Sequence, residues 1–263
     1  MSRPCISRCR MQIAGYQIGN NSLRRPAPMA ELTVVMPVYN EEGAIAGVLE
    51  QWSEALRGLG IDYQIVVYND GSKDSTLSIL QKAHQHDSRL VVVDQPNSGH
   101  GPTILKGYCD YSDSQWIFQV DSDGELGPEQ FGILWEIRES YDFLIGRRVG
   151  RLSPWPRKLT TSVSRYLIWL FYGGLVYDVN CPYRLFQPAK LKGHLHQIPP
   201  DTFAPNLIIS GLCSLLGLRV YQTEVVHTER TTGEVSIKKF KLLGAALSSF
   251  RQTVEFRLRT KTH

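Results

Sequence analysis

Four short apolar runs, each closed by acidic or amide side chains and separated by helix-length segments, constrain this chain more than any other feature. Leu32 to Tyr39 is β-rich, is interrupted by Pro37 and runs into Asn40-Glu41-Glu42. Tyr63 to Tyr68 ends in Asn69-Asp70-Gly71-Ser72, and Leu90 to Val93 ends in Asp94 to Asn97. Trp116 to Val120 delivers Asp121-Ser122-Asp123. Between the first two runs, Ile45, Val48, Leu49, Trp52, Leu56 and Leu59 recur at helical spacing, which predicts a helix over 44–59. Helix signals resume at Ser75 (Leu77, Ile79, Leu80) and again over Gly101 to Tyr108. Strands alternating with helices in this way predict an α/β fold with a mainly parallel sheet covered on both faces. Ligands of such sheets bind at the carboxyl ends of the strands, where all four polar closures converge.

The chain's 263 residues, 42% hydrophobic and 21% charged, suit one such domain with short extensions. Residues 1–30 hold five arginines and no acid, so of the net charge of +4 the remaining residues carry −1. A near-neutral body gives no support for nucleic-acid binding. Residues 1–30 are read as a basic, disordered tail, 31–236 as the domain, and 237–263 as a basic amphipathic helix and tail. That last helix is expected from Ile237, Phe240, Leu243, Leu247, Phe250, Val254 and Leu258 at steps of three and four among many lysines and arginines. Five scattered cysteines argue against a disulfide framework and for a reducing, cytoplasmic compartment. The longest apolar stretch, Tyr166 to Tyr177, is broken by Gly173-Gly174 and falls short of the roughly 20 residues a bilayer span needs. It reads as a buried or surface-lying helix. After Asp142 the strand–helix alternation fades.

Two carboxylates one residue apart at a strand end suit a hard cation such as Mg²⁺ or Mn²⁺, completed by substrate phosphate and water. The plainer reading of Asp121-Ser122-Asp123 is a common loop triplet; its place in line with three other polar strand ends favours the metal. Asp70 is a candidate to accept from a nucleobase N–H, and the same residues also spell an ordinary Asp-Gly turn. Asn97 to Gly101 leads into a helix and suits phosphate on backbone N–H groups, although the glycine pattern is weak. His100 is given no proton-transfer role. Arg147, Arg157, Arg184 and Arg230 are the candidates to stabilise a diphosphate leaving group or hold an anionic acceptor. Arg184 is the better case, because Asp178 to Phe186 is otherwise apolar and turn-rich.

The ordered set Val34 to Glu41, Val66 to Thr76, Asn97 to Gly107 and Asp121-Ser122-Asp123 resembles the signature of family 2 inverting glycosyltransferases of the GT-A fold. Gly146-Arg147, Asp178 to Arg184 and Arg230 to Ser236 resemble the branch of dolichyl- and polyprenyl-phosphate sugar transferases, so the likeness runs from about Leu32 to Ser236. It implies that Pro37, Tyr39, Glu41 and Asp70 hold base and ribose of the donor, with Asp121 and Ser122 at the nucleotide. Asp123 would bind the metal, joined by Asp121 and, as an extra charge where relatives often have Gln, Glu125. Arg147, and less surely Arg157, would grip the acceptor phosphate, and Arg230 would lie over the diphosphate.

Many members of that family carry a glutamate near Pro205-Asn206, and this chain has none there. Transfer to a hydroxyl needs a general base, whereas an acceptor phosphate is already ionised and needs only positioning and charge neutralisation. The expected activity is therefore metal-dependent, inverting transfer of a hexosyl group from a nucleotide-diphosphate sugar (GDP-mannose or UDP-glucose type) to polyprenyl or dolichyl phosphate. The protein would sit peripherally on the cytosolic membrane face, with the basic C-terminal helix on the anionic leaflet or packed on the domain. The alternatives are transfer to a sugar or lipid hydroxyl, with Asp201 or Glu224 as base, and a nucleotide-sugar-binding protein without turnover.

Overall fold

The structure, a computed structural model, describes residues 30–149, 155–174, 176–228 and 239–260. Its first half alternates as the sequence requires: β1 (Leu32–Val38), α1 (Ile45–Gly58), β2 (Tyr63–Asp70), α2 (Thr76–His86), β3 (Leu90–Gln95), α3 (His100–Asp110) and β4 (Trp116–Gln119). α4 (Phe131–Ile137), β5 (Phe143–Val149), α5 (Trp155–Tyr172) and β6 (Arg184–Phe186) follow. α6 (Lys192–Leu195), α7 (Pro205–Leu215), β7 (Val220–Val226) and α8 (Lys239–Arg259) complete the described chain. One sheet has the order β3-β2-β1-β4-β6-β5-β7. β1 pairs in parallel with β2 and β4, and only β6 runs against its neighbours.

β1 is buried along its whole length because helices cover both its faces. Pro37 is tolerated there for a geometric reason. Its side of the strand faces β4, whose register with β1 ends at Val35↔Gln119, so the missing N–H leaves no gap in the ladder. On one face Trp52 of α1 packs on Phe118, Phe131 and Tyr183, with ring centroids 5.1, 5.8 and 6.0 Å away. On the other face α3 lies close enough to β1 that a Cβ at Gly107 would sit 2.5 Å from a Val35 methyl.

The fading alternation after Asp142 conceals three strands. β6 is short and antiparallel, and β7 is an edge strand with only Val225 buried, so neither has the apolar run that marks an internal parallel strand. Parallel pairing of β5 with β7, Phe143↔Val220 through Val149↔Val226, still brings the end of β7 to the edge where β1, β2 and β4 end.

The C-terminal helix forms but docks by a different seam from the expected stripe. Ser249, Thr253, Phe256 and Thr260 are buried, whereas Phe250 and Leu258 remain 40% and 76% exposed. The Thr253 and Thr260 hydroxyls bond back to the carbonyls of Ser249 and Phe256, which lets these polar residues enter a packed face. Tyr172 Oη donates to Thr253 O at 2.8 Å and Arg257 Nε to Phe171 O at 2.9 Å, fixing α8 against α5. Residues 1–29, the expected tail, lie outside the described residues.

Candidate active site

The sheet order reverses direction between β1 and β4, and the cleft at such a switch point is where open α/β sheets bind ligands. The loops after β1 and β2 are stitched together there. Asn40, held at a φ of 54°, accepts from Lys73 N through its side-chain oxygen and donates its own N–H to the Ser72 hydroxyl, while Glu42 Oε2 accepts from Ser75 N at 2.9 Å. Tyr39 is half-buried at this junction, and Glu41 is buried, with its N–H donating to the Thr76 hydroxyl.

Asp70, at the tip of β2, is committed to its neighbouring loop. Its carboxylate accepts Ser98 N at 2.8 Å, Ser98 Oγ and Gln95 Nε2 at 3.1 Å, and Gly99 N at 2.9 Å. Burial alone would raise the Asp70 carboxyl, but these donors outweigh it and hold the group below the usual carboxylate range. Gly71, with a φ of 69°, lets Asn97 approach; a Cβ there would lie 2.8 Å from Asn97 N. The Asn97 to Gly101 segment is thus a loop built around Asp70, and it opens α3 at His100.

Asp121, Ser122 and Asp123 follow β4 after the single residue Val120. Asp121 is 28% exposed in its side chain and lies 3.1 Å from His100 Nε2. Burial works against its ionised form, yet His100, Arg148 and Gln119 together keep the carboxyl below its ordinary range. His100 responds in the opposite direction: burial lowers it, and Asp121, Asp123 and Asp70 raise it further than burial lowers it. Asp123 Oδ1 accepts Glu125 N at 3.1 Å. Glu125 Oε2 meets His227 Nε2 at 2.7 Å, and its carbonyl accepts Thr228 N, which ties the loop after β4 to the end of β7.

The arginines separate into different roles. Arg184, expected at the pocket, is fully buried, and its guanidinium donates to the carbonyls of Val179, Cys181 and Asn206. This is a correction: with no surface left for a ligand, Arg184 fastens the turn before β6 to α7. Arg147 is 47% exposed, pairs with Glu224 of β7 and lies 5.7 Å from the Tyr177 ring. The next residue was missed. Arg148 turns inward, makes a two-pronged pair with Asp178 at 2.8 and 2.9 Å, and contributes to the positive field at Asp121. Residue alternation along β5 was the available signal, since successive side chains point to opposite faces. Arg230 and the side chain of Arg157 lie outside the described residues.

A neutral polar network underlies the site. Asn206 Nδ2 donates to Gln119 Oε1 at 2.9 Å, Tyr108 Oη bonds both residues, and Gln119 Nε2 reaches Asp121 Oδ1 at 3.4 Å. Asn206 is therefore a buried amide, not a base. Asp201 is exposed before α7.

Asp121 and Asp123 form a hard-oxygen donor pair that fits Mg²⁺ or Mn²⁺. No group of three or more His, Cys, Asp or Glu among the described residues is gathered to hold an ion. Among the described residues the loop offers Asp121 and Asp123, with Glu125, the expected third ligand, paired to His227; phosphate and water would complete the shell, as Mg²⁺ sites with few protein ligands require.

Residues 33–192 match the family model described as glycosyl transferase family 2. An undecaprenyl-phosphate 4-deoxy-4-formamido-L-arabinose transferase of Serratia proteamaculans is 26% identical over 84% of this chain and 67% of its own length. Its counterpart in Edwardsiella ictaluri is 29% identical over 81% of this chain and 64% of its own length. The chain thus spans about two thirds of these relatives. Among solved structures, Mycobacterium tuberculosis glucosyl-3-phosphoglycerate synthase with Mn²⁺, UDP and phosphoglyceric acid aligns with a TM-score of 0.64 at 17% identity, covering 89% of this chain and 80% of that one. Mannosyl-3-phosphoglycerate synthase from Rubrobacter xylanophilus aligns at 0.63, 17% identity, 88% and 74%. These likenesses are of fold, the GT-A type.

Proposed function

This chain belongs to glycosyl transferase family 2, and we propose from that premise that it moves a glycosyl group from a nucleoside-diphosphate sugar to a polyprenyl phosphate with inversion. The observation that carries the donor half is the Asp121/Asp123 pair at the β1/β4 switch point, beside the positive Arg148. Asp123 takes the cation and Asp121 shares it or faces the nucleotide, with Ser122 buried between them. Held by these carboxylates, a divalent ion would supply charge neutralisation to the leaving diphosphate. Pro37, Tyr39 and Glu41 line the nucleoside end, and Asp70 acts there through the loop it holds. Arg147, with Arg157 and Arg230, receives the acceptor anion.

The acceptor half rests on Asn206. Where many members of the family carry a glutamate, this chain has an amide locked between Gln119 and Tyr108. An amide cannot take a proton, and a phosphate oxygen attacking the anomeric carbon has none to give. The same attack breaks the bond to the diphosphate and inverts the centre. The named activity of the two arabinose transferases, on undecaprenyl phosphate, agrees with such an acceptor. The sugar in their names is a pentose derivative, which supports testing nucleoside-diphosphate pentoses beside GDP-mannose and UDP-glucose as donors. A lipid acceptor places the enzyme at the cytosolic membrane surface; among the described residues no helix is long and apolar enough to cross it.

The test is transfer from a donor panel to a short-chain polyprenyl phosphate in detergent, with Mn²⁺ or Mg²⁺. A glycosyl phospholipid product whose formation survives Asp201→Asn supports the proposal. Product only with hydroxyl acceptors, abolished by Asp201→Asn or Glu224→Gln, would establish hydroxyl transfer instead.

A further inference from the structure

Among the described residues, α5 shows a packed face and a second, exposed apolar face. Ser164, Ile168 and Tyr172 are buried on the side that meets α7 and α8. At 100° per residue the side chains of Val163, Tyr166, Trp169 and Leu170 share an arc of about 120° away from that side. They are 49%, 58%, 50% and 54% exposed, and the Tyr166 and Trp169 rings touch with centroids 5.6 Å apart. A contiguous cluster of this size is seldom left in water without a purpose. Tyrosine and tryptophan are the residues that settle at the boundary between lipid headgroups and acyl chains.

The charge around this face identifies what covers it. α5 and α8, packed side by side, contain eight lysines and arginines and a single acid, Glu255. Residues 31–263 as a whole carry −1, so the rest of the body is net acidic and the positive charge is gathered on this helix pair. Arg165 is exposed alongside the aromatic residues, and Arg259 is exposed on α8. A second copy of the same face would set like charges against each other. An anionic lipid surface meets both the aromatic and the basic character. The chain leads from the end of α5 to the proposed acceptor edge: Tyr177, five residues after Tyr172, is 49% exposed and lies 5.7 Å from the Arg147 guanidinium.

We propose that the Val163, Tyr166, Trp169 and Leu170 face of α5 seats this protein on the surface of an anionic bilayer. The two rings enter the headgroup layer and Arg165 lies among the phosphates. This deepens the lipid-phosphate reading, since it turns the Arg147 edge toward the phase that holds a polyprenyl chain.

The test is flotation of the full chain with vesicles of phosphatidylcholine alone and with about one-third phosphatidylglycerol. Wild type is expected to float with the anionic vesicles, and less as salt is raised. The double variant Tyr166→Gln/Trp169→Gln should bind them about tenfold or more weakly, with its melting temperature and its nucleotide-induced shift in Mn²⁺ unchanged. Equal flotation of the variant, or no flotation of wild type, overturns the surface assignment. So does a wild-type dimer in light scattering that the double variant converts to monomer without any vesicle binding. Transfer to short-chain acceptor in detergent does not need the surface, so its success or failure reports on the proposed reaction separately.

Discussion

Asp121 and Asp123 stand one residue apart but in different company, and their substitutions should differ accordingly. Asp123→Asn removes a charge from the cation site and is expected to lower turnover about 100-fold or more with little loss of stability. The measurement is initial rate beside melting temperature. Arg148 and Arg147 form a second contrast. Arg148→Ala removes the two-pronged, largely buried pair with Asp178 and should cost about 1.5–3 kcal/mol in urea unfolding. Arg147→Ala breaks a half-exposed pair with Glu224 and should cost less than about 1 kcal/mol while weakening acceptor use. Equal stability losses would contradict the assignment of inward and outward roles. The Asp triplet was legible in the sequence because a strand tip gives a carboxylate only one place to go. Arg184 was misjudged because an arginine in an apolar stretch is equally well explained by carbonyls that only the folded chain brings together, those of Val179, Cys181 and Asn206.

Elements meet at this site through close approaches that single atoms can disturb. A Cβ on Gly101 would lie 2.1 Å from Phe203 O, a backbone atom that cannot swing aside. Gly101→Ala is therefore expected to destabilise by about 1–3 kcal/mol or more, read from the urea midpoint, and to loosen the start of α3 that carries His100. At the other end of the sheet, Asp142 before β5 accepts Arg219 N at 3.0 Å and its guanidinium at 3.1 and 3.0 Å. The Arg219 side chain, with Lys190 behind it, holds the Asp142 carboxyl down at about 2 against an ordinary value of 3.8. A depressed carboxyl stabilises the fold fully above pH 3.8 and loses that contribution as pH falls toward about 2. With Arg219 more than half exposed the contribution is about 1–2 kcal/mol. Urea midpoints of wild type and Asp142→Asn should thus differ at pH 5 and converge at about pH 2; a constant difference would refute the linkage. The first four strands could be read from apolar runs alone. β5 to β7 could not, because an antiparallel insertion and a half-exposed edge strand are fixed by pairing with distant segments, Ile117↔Phe186 and Phe143↔Val220 among them.

From residue 31 onward the charge is divided: a net acidic body with the Asp121 to Asp123 loop at its strand ends, and a basic helix pair beside it. The sequence exposed the helical character of α8 but not its docking. Its buried seam uses Ser249, Thr253 and Thr260, the two threonine hydroxyls being satisfied within the helix, and no apolar periodicity marks such a face. The central claim is that Asp121 and Asp123 hold a divalent cation against the donor's diphosphate. Calorimetric titration of UDP and GDP into wild type and Asp123→Asn, with and without Mn²⁺, tests it most directly. Mn²⁺ is expected to tighten one of these nucleotides about tenfold or more in wild type and to have no such effect in the variant. Nucleotide affinity indifferent to Mn²⁺ in wild type, or equally enhanced in Asp123→Asn, would contradict it.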